Sequence, residues 1–472
     1  MCDFKLNFGA SWGRDNNIVF SPYNNVGLFR ISADGAKAEA LTTPDKTKEE
    51  FSHRLPQCLP DGKSVFFTIT GEFFDLQPRV ALLDLKTRKW HVLIENGADA
   101  RYVPTGHLIF LRQGTLMAVP FDLERLEITG QPVPAIANIM QALNYIHDYH
   151  NTAAGQFSIS DSGSVVYAPG GIVPDRQNTL VWVDQKGSAE PVASFKAPFF
   201  APRLSPDGKR IAYDARGREW QVWIYDLNRG TASRLTGEGR ACWGHWTPDG
   251  KRVVFAWWQS GHPNLYWQAA DGSQPMERLT TSDYSQLPGP PSPDGTTLPF
   301  LEEAGTPFAD ILLLDLGSRR ITPFLNSPVD EYHPEFRPDG RWLAYASTDS
   351  GRWEVYVRPF PRSGGKWQIS SDGGWEPLWA RSGRKLFYRW GNQVWVVDVR
   401  TDTGFTPGKP RLLFEKPGYA HAHPHSGWDI SLDGRRFLMV KEEEMKPQPV
   451  TEMILVQNWF EELKRICPTG KD

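Results

Sequence analysis

Ser205-Pro206-Asp207-Gly208-Lys209-Arg210-Ile211-Ala212-Tyr213 is the stretch on which the reading of the fold turns. Proline presets φ for the first turn position, aspartate bonds backbone two residues on, and glycine supplies the φ > 0 residue, so the tetrapeptide joins two antiparallel strands. The apolar run behind it is the second of those strands. The signal recurs at Leu59-Pro60-Asp61-Gly62, Thr247-Pro248-Asp249-Gly250, Ser292-Pro293-Asp294-Gly295 and Arg337-Pro338-Asp339-Gly340. Weaker copies fall at Gly13-Arg14-Asp15-Asn16, Val103-Pro104-Thr105-Gly106, Asp161-Ser162-Gly163, Arg381-Ser382-Gly383 and Leu432-Asp433-Gly434. Their spacing of about 40 to 50 residues is the period of a four-stranded propeller blade.

Each turn is followed by the same succession. Arg210 to Tyr213, Val222 to Leu227 and Ser233-Arg234-Leu235-Thr236 repeat as Val253 to Ala256, Leu265 to Gln268 and Arg278 to Thr280. Pro56, Pro202, Pro334 and Pro377 stand five residues ahead of the turn aspartate position. Proline cannot donate to a ladder, so the strand before the turn is an edge, as the innermost strand of a propeller blade is. The predicted fold class is all-β, a propeller of ten four-stranded units with one short helix near Phe460.

Composition agrees with a folded, charge-balanced chain. Of 472 residues, 40% are hydrophobic and 23% charged, which excludes disorder. The net charge of -3 supplies no field for nucleic acid or acidic lipid, so neither is expected as a partner. Cys2, Cys58, Cys242 and Cys467 are too scattered for a disulfide framework or a zinc knuckle. No stretch approaches the roughly 18 apolar residues of a membrane span, and residues 1 to 20 carry charges where an export signal has none. Membrane insertion is not expected, and the cytoplasm is the default compartment.

The Ser-Pro-Asp-Gly turns with Arg-Leu-Thr strand ends resemble the TolB-like, WD-repeat-like β-propeller family. Ser52-His53-Arg54-Leu55-Pro56-Gln57, Glu354 to Pro361, Arg435-Arg436-Phe437-Leu438 and Asn458-Trp459 narrow the resemblance to propeller regions attached to bacterial Ser/Thr kinases. It covers nearly the whole chain. Neither G-x-G-x-x-G nor H-R-D is present, so phosphoryl transfer is not carried over. The resemblance also implies further blade units ahead of Met1.

Two closures are open. Phe4 to Phe8 could complete the last unit and make one ten-bladed ring, or Pro191 to Phe195 could close a six-bladed ring. The second is preferred because propellers usually have 4 to 8 blades. It divides the chain into an N-terminal lobe of four units, 1–177, and a six-bladed TolB-like propeller with the short helix, 178–472. The strand expected at Glu452 to Gln457 then belongs to the last unit of the ring.

Three positions before the turn aspartate, Trp12, Cys58, Tyr102, Ile159, Leu204, Trp246, Pro291, Phe336, Trp379 and Ile430 read as blade-to-blade core. One position earlier, Ser11, Gln57, Arg101, Ser158, Arg203, His245, Pro290, Glu335, Leu378 and Asp429 fall on the opposite face, towards the channel. Eight of the 11 histidines (His53, His147, His150, His245, His333, His421, His423 and His425) lie in or just before such strands. Arg203, His245, His333, Glu335, Glu376 and Asp429 are therefore the candidate ligand-binding residues. His421, His423 and His425 are candidate ligands for a divalent metal such as Ca, Mn or Zn. Against a metal, there is no H-E-x-x-H, and alternating histidines in a loop are often only solvated. Gly9-Ala10-Ser11-Trp12-Gly13 fits G-x-S-x-G, but a nucleophile elbow needs a helix after the serine and a strand pattern follows instead. The function expected is a scaffold holding a protein, peptide or small-molecule ligand at the channel mouth, without a resident cofactor. Its rival is a metal-dependent propeller hydrolase or lyase of the lactonase or uronate-lyase type, distinguished by whether His and carboxylate ligands converge on one point.

Overall fold

The computed structural model describes residues 8–469 apart from 24–25, 36, 46–47, 49, 72–76, 144–151, 173–177, 217–219, 260, 303–308, 362–363, 403, 423–424 and 444–449. The chain forms two units, one of Met1–Asp175 with Lys446–Asp472 and one of Arg176–Met445.

The second unit is a ring of six antiparallel sheets. Its first sheet runs Phe199–Leu204, Arg210–Arg216, Trp220–Asp226, Thr231–Arg234 in spatial and sequence order; the next three sheets repeat that plan, and the fifth adds Arg411–Glu415 beside Gln393–Arg400. The sixth takes its two inner strands, Trp428–Ile430 and Arg436–Lys441, from the end of the unit. Its two outer strands, Thr179–Asp184 and Ala189–Pro191, come from the beginning. Closure therefore uses a longer segment than Pro191 to Phe195, with Val192 and Phe195 packing into the joint. That joint buries Leu180, Leu438 and Val440 against Leu204, Ile211 and Tyr213, so the ring of six closes on itself and no ten-bladed ring forms.

The turn chemistry explains the repeat. Ser205 Oγ donates to Asp207 Oδ1 (2.6 Å) and accepts from Arg210 N–H (2.9 Å), while Asp207 Oδ1 accepts from Lys209 N–H (3.1 Å). Gly208 sits at φ 71°. Thr247 with Asp249, Ser292 with Asp294 and Ser431 with Asp433 make the same hydroxyl bond, which holds each carboxyl below its ordinary range. The strand-end Thr has a second task. Thr236 Oγ1 accepts from Val222 N–H (3.0 Å) and donates to Gln221 (2.5 Å), and Thr280 and Ser370 do likewise for Leu265 and Val355.

First strands carry a further device. The register of Phe199–Leu204 slips between Phe200 and Arg203, and equivalent slips follow Cys242, Tyr332 and Trp375. At each slip one residue, Ala201, Trp243, His333 or Glu376, takes φ between 44° and 61°. These bulges re-aim the side chains on either side of them.

The first unit holds four sheets, with first strands Ala10–Trp12, Ser52–Cys58, Ala98–Val103 and Phe157–Ile159. Residues 446–472 belong here and not to the ring, which corrects the division expected from sequence. Ile454–Val456 pairs with Val165–Tyr167 instead of joining the last unit of the ring. The helix Trp459–Ile466 then buries Trp459 and Leu463 against Val103, Ile109 and Phe157. Glu461 and Glu462 in its first turn and Lys464 and Arg465 in its last suit the helix dipole. Trp12, expected in the core, is 65% exposed, whereas Trp246, Phe336 and Trp379 in the same repeat position are buried between blades. No helix among the described residues is long and apolar enough to cross a membrane.

Candidate functional site

A cavity of about 290 Å³ opens at one mouth of the six-sheet ring. Each blade contributes to its wall a residue, Trp246, Phe336 and Trp379 among them, together with the one before it: Arg203, His245, Pro290, Glu335, Leu378 or Asp429. Their shared position, four before the turn aspartate, follows from a turn that sets the same register in every blade. The rim consists of turn prolines 206, 248, 293 and 338, with Arg381 where the fifth blade has lost its proline.

Most of the polar wall is already engaged in joining blades. Asp429 Oδ2 accepts from Leu204 N–H (2.7 Å) and its Oδ1 from Ile430 N–H (2.7 Å). Arg203 donates to the carbonyls of Trp428 (2.8 Å) and Ser426 (3.2 Å), and Trp246 Nε1 donates to the Arg203 carbonyl (3.0 Å). His245 hydrogen-bonds the backbone of Pro288, whose only backbone group is a carbonyl. That bond places the proton on the engaged nitrogen and leaves Nε2, which has no partner among the described residues, as an acceptor. Burial, with Arg203 nearby, holds the His245 imidazole well below its usual titration range, so it is neutral at pH 7.

Glu335 is different. It is half-buried, and among the described residues nothing donates to its carboxylate. Burial pushes its carboxyl up to about 7, with Arg203 and Arg381 opposing the rise and Asp429 adding to it. The mouth thus presents an acceptor-rich wall inside a rim of prolines and Arg381, with one carboxyl poised to gain or lose a proton near neutrality.

The remaining candidates do not line this cavity. Glu376 is buried beneath four donors: Ala422 N–H and Gly427 N–H (both 3.1 Å), Arg389 Nη1 (3.1 Å) and His421 Nδ1 (3.3 Å). Burial alone would raise its carboxyl, but the Arg389 guanidinium and His421 hold it far below the usual carboxylate range. His421 also faces the Gly391 carbonyl through Nε2 (3.0 Å), so both its ring nitrogens are occupied. His333 sits on a bulge with its ring 6.3 Å from those of Tyr332 and Trp375. His425 lies 5.1 Å from the Trp243 ring and 5.8 Å from that of His245. His423, like His147 and His150, lies outside the described residues. Among the described residues, no group of three or more His, Cys, Asp or Glu side chains comes together as a metal would require.

Two features escaped the sequence reading. Arg381 carried a usable signal, a charge where four blades have the turn proline. Asp214, whose carboxylate accepts from Trp243 N–H (2.7 Å) and Gly244 N–H (3.4 Å) across a blade boundary, carried none, because its partners are backbone groups of another blade. In the first unit, Ser11 lies on a strand and its hydroxyl accepts from Cys58 N–H (2.9 Å), leaving no elbow geometry.

Residues 175–309 match the family model for the TolB beta propeller domain. With the closed six-sheet ring, this makes the second unit a TolB-like β-propeller. An uncharacterized protein of Agrobacterium fabrum is 24% identical over 291 residues, covering 58% of this chain and 94% of that protein. The Tol-Pal system protein TolB of Francisella tularensis is 29% identical over 172 residues, covering 35% of this chain and 39% of that protein. Among solved structures, a putative TolB from Agrobacterium tumefaciens aligns at 19% identity with a TM-score of 0.47, covering 58% of this chain and all of that one. Nothing in these likenesses bears on a kinase.

Proposed function

We propose that the ring is a binding scaffold whose channel mouth holds a short segment of a partner protein. The observation that carries this reading is Glu335, a carboxylate with no donor among the described residues, in a cavity where Arg203 and Asp429 are engaged in joining blades and His245 Nε2 is a second open acceptor. A backbone N–H or an amine would supply the missing donor, and proline and aromatic walls favour the apolar side chains of an extended peptide. The Francisella relative's description as a Tol-Pal system protein supports a role among other proteins. No specific observation favours the metal-dependent hydrolase or lyase. The test is selection of peptides on the immobilised chain from a random phage library, followed by calorimetric titration. Glu335→Ala combined with Arg381→Ala should weaken selected peptides at least about tenfold. Selected peptides that bind the double variant as tightly as the wild type would sink the proposal.

A further inference from the structure

One blade boundary in the ring departs from the others. Near the end of each third strand a backbone N–H bonds a carbonyl just past the hairpin turn: Leu227 to Lys209, Ala270 to Lys251, Leu316 to Thr296, Phe360 to Arg341 and Val399 to Arg384. Two residues before that bond stand Tyr225, Gln268, Leu314, Arg358 and Val397, on the face towards the preceding blade. Three residues before it stand Ile224, Trp267, Leu313, Val357 and Val396, on the face towards the next. Across three boundaries the paired positions are Ile224 with Gln268, Trp267 with Leu314 and Val357 with Val397, and at least one of each pair is buried. Between the third and fourth sheets they are Leu313 and Arg358, and both are only half-buried.

A guanidinium thus stands where the other blades place Tyr, Gln, Leu or Val, and the boundary opens into a groove of about 440 Å³, larger than the cavity of about 290 Å³ at the mouth. Phe324, from Ile321–Leu325 of the third sheet, and Phe360, just past Glu354–Pro359 of the fourth, line it with their rings 6.1 Å apart. Phe360 in turn packs edge-on against Phe336 of the mouth wall, 4.8 Å between centroids. Its bond to Arg341 sets it beside the turn, so groove and mouth lie on the same face of the ring, one aromatic pair apart.

The groove is also cationic. Arg358 Nε donates to Tyr345 Oη (3.0 Å), and Arg320 is an exposed part of the lining. Neither guanidinium forms an ion pair among the described residues. The carboxylates that feel their charge are occupied elsewhere, Asp315 Oδ1 by Ser318 N–H and Oγ (2.6 and 2.8 Å) and Glu331 Oε1 by Ser327 Oγ (2.8 Å).

We propose that this groove is a second subsite for the partner segment, taking the carboxylate of an Asp or Glu side chain on Arg358 and Arg320 and a neighbouring apolar side chain between Phe324 and Phe360. The inference rests on the reading of the mouth as a site for such a segment. An extended chain rises about 3.3 Å per residue, so a few residues carry it from Glu335 past Phe336 to the groove. The two subsites make opposite demands, since the mouth offers acceptors and the groove offers donors. A segment with a donor at one point and a carboxylate a few residues away is thereby held in one direction and one register.

The experiment titrates the full chain calorimetrically with peptides selected on it from a random phage library, resynthesised with amidated C-termini so that every carboxylate belongs to a side chain. Selected peptides should carry Asp or Glu beside an apolar residue. Arg320→Gln combined with Arg358→Gln should weaken them at least about tenfold, and changing the peptide's acidic residue to its amide should remove that difference. Arg320 is exposed, so Arg320→Gln alone keeps the wild-type urea midpoint and should already weaken the peptides about threefold. Peptides without an acidic residue, or acidic peptides that bind the double variant as tightly as the wild type while the Glu335 and Arg381 variant loses them, would overturn the groove and leave the mouth. Peptides weakened by the groove variants and indifferent to the mouth variant would sink the mouth reading and leave the acidic subsite standing. A library that yields no binder would overturn both.

Discussion

Replacing Trp379 by alanine tests the blade-to-blade reading most directly, because the repeat supplies its own control. Trp379 is 2% exposed, packed on Ala344, Val355 and Val357 of the preceding sheet and Leu386 and Val397 of its own. Its indole nitrogen has no hydrogen-bond partner among the described residues, so truncation removes packing and the Arg337 guanidinium's contact with the ring, 6.0 Å from its centroid. A buried tryptophan removes on the order of 150–250 Å² from water. At roughly 25 cal/mol per Å² that is about 4–6 kcal/mol of transfer free energy, most of which the alanine forfeits. Measured aromatic-to-alanine losses in cores run about 3–5 kcal/mol. Trp12→Ala changes the equivalent position in the first unit, where the side chain is 65% exposed, and should cost no more than about 0.5 kcal/mol. Urea unfolding followed by far-UV circular dichroism measures both. Equal losses at the two positions, or a Trp379→Ala protein as stable as the wild type, would show that the column does not mark blade interfaces.

Two further outcomes follow from the buried charges. The Glu335 carboxyl is raised to about 7, so the folded state binds its proton more tightly than the unfolded chain does. Its contribution is fully present below the ordinary carboxylate range and is lost as pH rises through about 7. Glu335→Gln should accordingly melt higher than the wild type at pH 8 and no higher at pH 4, and a gain independent of pH would count against the assignment. Glu376 and Arg389 form a pair with side chains only 1% and 2% exposed. Glu376→Gln leaves the guanidinium buried without its counter-charge and should destabilise the ring by about 3–5 kcal/mol in urea, the range for breaking a buried pair. A loss below 1 kcal/mol would mean that water replaces the carboxylate there.

How much of this was legible beforehand depended on the range of the interaction. The Ser-Pro-Asp-Gly turn is complete within six residues, since Ser205, Asp207, Gly208 and Arg210 bond among themselves. Turn position, strand order and the polar channel column could therefore be counted from sequence alone. Which members of that column remain available for a ligand could not. Asp429 and Leu204 are joined across the ring closure, 225 residues apart, and no local pattern distinguishes that engaged carboxylate from the free one at Glu335. The same holds for His333 and Glu376. Strand alternation leaves their facing open, while a bulge at each re-aims the chain and the partners of Glu376 arrive from residues 389 to 427.

The sequence by itself determined the repeat, the all-β class and the ten turns that join first and second strands, because these rest on backbone preferences and hydrogen bonds between near neighbours. Only the tertiary structure decided how the repeats close. Arg436–Lys441 could accept an outer strand from either end of the chain, and residues 452–457 have the right pattern to remain beside it. Thr179–Asp184 takes that place instead, burying Leu180 and Val181 against its neighbours, and Ile454–Val456 goes to Val165–Tyr167 in the first unit. Strand patterns state which residues want burial and not against which edge they find it. The choice among equivalent edges is settled by the sum of the packing that each closure makes available.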